Sequence, residues 1–261
     1  MSRTGWTGWT DLVPFTDHFQ IRHYVGHAAA KRDWNTTLEG VPGHLSRAEG
    51  LWPVDGGKFD FTDIDVNKIP VGIYFIRIEG GESHHPSGFF DYIGLANPHT
   101  TARPNRFQVG IFQRAYEHYR KIVGIPHRNK ISEYISKGYP NLHERSEWIA
   151  EFKNQNFKNY EELRKFFDDC DKEGHISDIP KNFKNITEKF RDELTTFESI
   201  KEFFATKVRF SYNLYSGANA EPQIAKGEGL ALLAYKNRYE AIPYLNDANV
   251  LSAIGRFNEI I

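Results

Sequence analysis

Five side chains in this sequence have types and spacing that suit chemistry: the phenols of Tyr74 and Tyr92, the guanidinium of Arg114, the imidazole of His118 and the carboxylate of Glu228. An arginine grips a phosphate through two parallel N–H donors, a geometry lysine does not offer. A carboxylate can share a divalent ion with water. A phenol can pass a proton, but with a free pKa of ~10 it is protonated at neutral pH and needs a cation nearby to lower that value. Each residue also has a plainer reading. A strand tyrosine usually packs, a histidine one helical turn from an arginine is common on a surface, and Glu221 competes with Glu228. The adjacent pair His84-His85 is a poor ligand spacing without cysteine or carboxylate partners.

Positioning these groups falls first to the stretch from Val71 to Leu95. Val71–Ile78 and Phe89–Leu95 are rich in β-branched and aromatic residues and bounded by turn formers, which predicts two strands. The loop between them holds three glycines and Pro86, as a hairpin with a long connection requires. If the strands pair, Tyr74 and Tyr92 project from the same region of the sheet. A helix is predicted over Gly110–Val123, with Phe112, Ala115, Tyr116, Tyr119, Ile122 and Val123 as its apolar stripe. Arg114, His118 and Lys121 share the opposite, outward face.

The remainder is uneven. The echo Thr4-Gly-Trp-Thr-Gly-Trp-Thr10 reads either as a strap packed on the core or as an arm that clamps DNA or a partner subunit. Ala96–Val109, with Arg103 and Arg106, reads as a basic loop feeding the Arg114 helix. Residues 144–205 turn acidic and show three helical patterns, at Glu144–Asn154, Tyr160–Cys170 and Ile186–Ala205. Lys207–Tyr215 alternates as a strand, with Val208, Phe210, Tyr212 and Leu214 on one face. A helix from about Pro222 to Tyr239 carries Glu228, and Pro243–Asn246 closes it. A Glu-x-Lys at Glu151-Phe-Lys153 would suit a different nuclease fold only on a strand, and here it sits in a helical pattern.

The triplets Gly72-Ile-Tyr74 and Tyr92-Ile-Gly94, the Arg114 helix, the strand at 207–215, the Glu228 helix and Pro243-x-x-Asn246 occur in that order. This order resembles the GIY-YIG nuclease superfamily, and within it the type II restriction endonucleases. The resemblance covers about 68–124 and 206–250, under half of the chain. It implies an α+β fold, a small three-stranded, mainly antiparallel sheet flanked by helices. The domains would be an N-terminal extension over 1–67 and a core over 68–261, interrupted by a mainly helical insertion at about 125–205.

The resemblance also implies roles. Tyr74 would be the general base, Tyr92 would orient water or the scissile phosphate, Arg114 would hold phosphate oxygens, and His118 would assist. Glu228 would hold one Mg²⁺, with Mn²⁺ able to substitute. It is preferred to Glu221 because Leu232 and Leu233 follow it at the family's spacing. Arg103, Arg106, Lys121 and Asn246 would contact DNA. Asn246 lies 18 residues beyond Glu228, longer than the family pattern, and the alternative is that it caps or turns the chain. The expected activity is sequence-specific cleavage of double-stranded DNA by a homodimer, since each core holds one site. The alternatives are a homing, repair or modification-dependent nuclease, or an inactive core that binds DNA.

Composition bounds these expectations. A net charge of −1 argues against a generic nucleic-acid binder. Yet Pro98–His143 carries eight basic residues against two acidic ones, the footprint of local phosphate contact. No apolar run is long enough for a membrane span, and the N-terminus lacks the apolar core of a secretory signal. A single cysteine, Cys170, forbids an intrachain disulfide and fits a reducing, cytoplasmic setting.

Overall fold

The computed structural model describes residues 5–21, 51–53, 71–80, 85–96, 110–124, 164–165, 179–217 and 220–246. They form an α+β fold built on an antiparallel sheet of five strands. In chain order the first elements are β1 (Gly5–Trp9), β2 (Val13–Pro14), the one-turn helix α1 (Phe15–His18), β3 (Phe19–Ile21) and β4 (Leu51–Pro53). They are followed by β5 (Gly72–Ile78), β6 (Phe90–Ala96) and α2 (Gly110–Val123). Next come α3 (Lys181–Lys189), a 3₁₀ turn (Arg191–Leu194), α4 (Phe197–Thr206), β7 (Val208–Ser216) and α5 (Ala220–Tyr239).

The predicted hairpin is the centre of the sheet. β5 pairs with β6 from Gly72 opposite Ala96 to Ile78 opposite Phe90. Its other edge pairs with β7, from Gly72 opposite Leu214 to Ile78 opposite Val208. A strand paired on both edges and covered on both faces reads as a near-continuous apolar run, which is why Gly72–Ile78 shows no polar alternation. In β7, Val208, Phe210 and Tyr212 lie opposite Ile78, Ile76 and Tyr74, so the face predicted for that strand is the one Tyr74 shares.

The sheet has five strands where three were expected, because the N-terminus joins it. β1 pairs with β7 around Tyr215 and Asn213, and β2 pairs with β7 at Phe210 and Arg209. A short Gly-Trp-Thr echo has neither the length nor the alternation that announces a strand, so its partner 200 residues away decides its state. β3 and β4 form a separate two-stranded sheet.

Both faces of the main sheet are covered within its own unit. On one, Phe15, Phe19 and Phe204 gather about Phe210, with the rings of Phe15 and Phe19 4.7 Å apart. On the other, α5 lays Ile224, Leu232 and Tyr235 against Val71, Ile73 and Ile93.

The chain divides into two compact units, one of residues 1–20, 52–115 and 204–261, the other of residues 21–51 and 116–203. In the second unit the pattern predicted as one helix over 186–205 is two helices. α3 begins directly after Pro180, whose carbonyl accepts from Phe183 and Lys184 N–H. α4 opens with a reciprocal pair: Ser199 N–H donates to Thr196 Oγ1 and Thr196 N–H donates to Ser199 Oγ. That pair supplies a helix start with no glycine or proline to mark it, so periodicity alone reads through it. The helices expected at 144–154 and 160–170, and Cys170, lie outside the described residues apart from 164–165. Among the described residues no helix is long and apolar enough to cross a membrane.

Candidate active site

One glycine lets the tyrosines come together, and another lets β7 approach β5. Gly94 lies opposite Tyr74, and Tyr92 lies opposite Ile76, so the two phenols are diagonal neighbours on one face. A Cβ at residue 94 would stand 2.5 Å from Tyr92 Cε1 and 2.7 Å from Tyr74 Oη. The rings occupy the space a side chain would need, and they stack with centroids 5.9 Å apart and planes at 29°. At residue 72 a Cβ would strike the carbonyl oxygen of Asn213 on β7. Each glycine of the paired triplets is therefore a close approach.

Tyr74 is buried at 1% exposure between Tyr92 and Phe210, whose ring stacks on its far side at 5.9 Å. Burial pushes its phenol well above the ordinary tyrosine value, and the charges of Tyr92 and Glu228 push the same way. The phenols are hydrogen-bonded to each other, and that bond raises Tyr74 while lowering Tyr92. Tyr92 is half-buried and is also raised, by burial first and then by Glu228. Arg114 is the cation that works to lower both phenols. In the free protein it is outweighed, so Tyr74 stands protonated at neutral pH. The charge needed to make it a base is not supplied by Arg114 alone.

Glu228 lies in the interior of α5, half-buried. Loss of water pushes its carboxyl up to about 7, with Arg114 pulling it down. Tyr74, Tyr92, Arg114 and Glu228, from β5, β6, α2 and α5, therefore lie within electrostatic reach of one another in one unit. Glu221 is exposed in the first turn of the same helix. Among the described residues, three or more His, Cys, Asp or Glu side chains placed to hold a metal ion together do not occur. A protein-caged metal does not fit such a donor set. A hydrated Mg²⁺ held through one carboxylate, with water and substrate phosphate as its other ligands, does.

His118 departs from expectation. It is 3% exposed rather than outward, and its ring packs on Phe183 of α3 at 5.5 Å. It belongs to the second unit, where Thr187 also donates its hydroxyl to the Ile122 carbonyl. Burial around α2 is wider than the apolar stripe indicated, because α3 covers a flank that sequence alone leaves open. Lys121 is half-buried with its ammonium 5.7 Å from the Phe183 ring centre. Arg103 and Arg106 lie outside the described residues.

Asn246, expected at DNA, is 5% exposed and committed to the edge of β6. Its Oδ1 accepts from Ile93 N–H at 2.9 Å and its Nδ2 donates to the Ile93 carbonyl at 2.7 Å. Leu245 N–H donates to the Asp91 carbonyl beside it. The side-chain amide thus mimics a neighbouring strand and satisfies backbone groups that an edge leaves open. His85 is likewise structural, with its Nε2 2.6 Å from the Ile242 carbonyl and Nδ1 2.9 Å from Ser87 Oγ.

Two residues near Glu228 were missed: Gly227, which precedes it, and Trp6, whose indole fills the place of a side chain at 227. The available signal was Gly227-Glu-Gly229 inside a helix, since each glycine there costs about 1 kcal/mol relative to alanine. No protein-family model, curated protein or solved structure matches this chain.

Proposed function

We propose that the chain is a GIY-YIG endonuclease that hydrolyses phosphodiesters in double-stranded DNA, of the type II restriction class. The observation that carries this reading is the convergence of Tyr74, Tyr92, Arg114 and Glu228 from four separate elements. A half-buried carboxylate within electrostatic reach of two phenols is not what hydrophobic packing selects, and perturbed groups of this kind cluster at functional sites.

Hydrolysis of a phosphodiester needs a water nucleophile, an acceptor for its proton, and positive charge where oxygen gains charge. Arg114 binds phosphate oxygens with paired N–H donors. Tyr92 orients water or the scissile phosphate when substrate enters. Tyr74 takes the water's proton as its phenolate, after losing its own proton to solvent, and because its pKa is raised the share in that form, and with it the rate, rises with pH. Glu228 would hold Mg²⁺, or Mn²⁺ in its place, which when bound would supply Lewis-acid stabilisation of the leaving oxygen. A homodimer on DNA would present two such sites to the two strands.

The burial of Tyr74 at 1% exposure favours a second reading, a core that binds DNA without cutting it. Cleavage of unmodified plasmid with Mg²⁺ separates the two. Discrete fragments from the intact chain, with rates cut by about 10²–10⁴ in Tyr74→Phe, support the first. Random nicking moves the role to repair. DNA binding without cleavage of any plain, modified or branched duplex moves it to the binding module.

A further inference from the structure

The N-terminal strand meets the helix of Glu228 through one indole. Trp6 lies opposite Tyr215 and Trp9 opposite Asn213, so three steps on β1 match two on β7. In a regular strand residues three apart point to opposite faces. The extra residue is a bulge, which returns both indoles to the face that β7 shows α5. Side chains secure the bulge: Gly8 N–H donates to Asn213 Oδ1 at 2.9 Å, and Leu214 N–H donates to Thr7 Oγ1 at 3.1 Å. Just beyond β1, Tyr212 N–H donates to Thr10 Oγ1 at 3.0 Å. The Gly-Trp-Thr echo is thereby explained: threonine hydroxyls stand in the ladder while the tryptophans are aimed together.

Trp6 is held edge-on by Tyr215, with ring centres 5.2 Å apart and planes at 65°. Its far edge rests on Gly227, where a Cβ would stand 2.5 Å from Cζ2 and 2.6 Å from Cη2. Glycine is disfavoured inside a helix, so its use at this turn needs a reason, and the indole is one. At 37% exposure Trp6 is not a core residue, so its contact with Gly227 is not a matter of burial alone.

We infer that Trp6 is a positioning residue for Glu228: its indole, seated on Gly227, sets the height of that helical turn and so where the carboxylate stands. The inference rests on the nuclease reading. It deepens that reading by making the N-terminal strand part of the ion-holding apparatus.

Calorimetric titration of the full chain with Mn²⁺ tests it, alongside plasmid cleavage and thermal melting. The variants are Trp6→Ala, Trp6→Phe, Gly227→Ala and Glu228→Ala. Trp6→Ala is expected to weaken Mn²⁺ binding roughly tenfold, as loss of an outer partner does at metal sites. It should raise the Mn²⁺ concentration needed for cutting by the same factor. Trp6→Phe should recover most of the affinity. Gly227→Ala should reproduce the loss by driving the indole off the helix, even though alanine is the better helix former. Wild-type affinity in both Trp6→Ala and Gly227→Ala overturns the inference and leaves the nuclease reading standing. So does a melting temperature that falls while affinity holds. If Trp6→Ala does not fold, Gly227→Ala decides alone. A wild-type chain that neither binds Mn²⁺ nor cuts DNA overturns the nuclease reading, and the inference falls with it.

Discussion

Two carboxylates are set into the same unit, and the chain treats them in opposite ways. Asp91 on β6 is fully buried, with both carboxylate oxygens hydrogen-bonded. Arg77 on β5, directly across the ladder, donates Nε–H and Nη2–H to its two oxygens at 2.8 and 2.9 Å. Tyr235 of α5 adds its hydroxyl at 2.8 Å. Burial works to lower the Arg77 pKa, but the bonds and charge of Asp91 outweigh it and the net shift is upward. Arg77 in turn lies over the ring of Phe89, 4.1 Å from its centre. Glu228 on α5 has lost much of its water without comparable compensation, and Arg114 is the counterweight. A carboxylate with both oxygens held by donors holds a structure together. One that is desolvated and under-compensated is ready to take an ion, a proton or a phosphate's neighbour.

Breaking the first carboxylate should have the larger effect on stability. Asp91→Ala leaves the Arg77 charge and the Tyr235 hydroxyl without their partner, and is expected to cost about 3–5 kcal/mol. Urea denaturation measures it. A loss under about 1 kcal/mol would mean that the network contributes little net.

Glu228→Gln should move the other way. A carboxyl whose pKa is about 7 when folded and 4.5 as a free group binds its proton more tightly in the fold. Its contribution is therefore neutral below about pH 4.5 and becomes a growing penalty as pH rises to 7, level above that. Allowing for its partial solvent access, Glu228→Gln should be more stable than the parent by about 2 kcal/mol at pH 8, and equal to it near pH 4.5. The same substitution should remove Mg²⁺-dependent cutting. Denaturation midpoints at the two pH values decide the matter, and equal midpoints at pH 8 would show that Glu228 is no less compensated than Asp91.

Asn246→Ala tests the edge of the same strand. Two buried backbone groups at Ile93 lose their partners, so a loss of about 1–3 kcal/mol is expected. DNA affinity should not change at a temperature where the variant is folded. A fall in affinity without a fall in stability would return Asn246 to the interface.

Much of the architecture was legible in the residues. The hairpin of β5 and β6, the helix at 110–123, the strand at 208–216 with its inward face and the Glu228 helix all follow from local periodicity and turn residues. The clustering of Tyr74 with Tyr92 was legible too, because a hairpin makes the two strands neighbours. The break between α3 and α4 was written in Thr196 and Ser199, but as a hydroxyl exchange rather than a breaker residue.

What the sequence by itself determined is the local state of each long segment and the chemical inventory it carries. Its net charge of −1, its lone cysteine and its paired Gly-Ile-Tyr and Tyr-Ile-Gly words needed no fold to be read. Only the tertiary structure decided that Gly5–Trp9 is a strand, that His118 is buried on Phe183, that Asn246 completes the edge of β6, and that Trp6 rests on Gly227. Each of these is a contact across a long span of chain. Periodicity states which face of a segment is apolar, but it does not name the segment that will cover it. That choice is made when the whole chain is packed, by which pairing leaves the fewest buried polar groups unanswered and the least space unfilled.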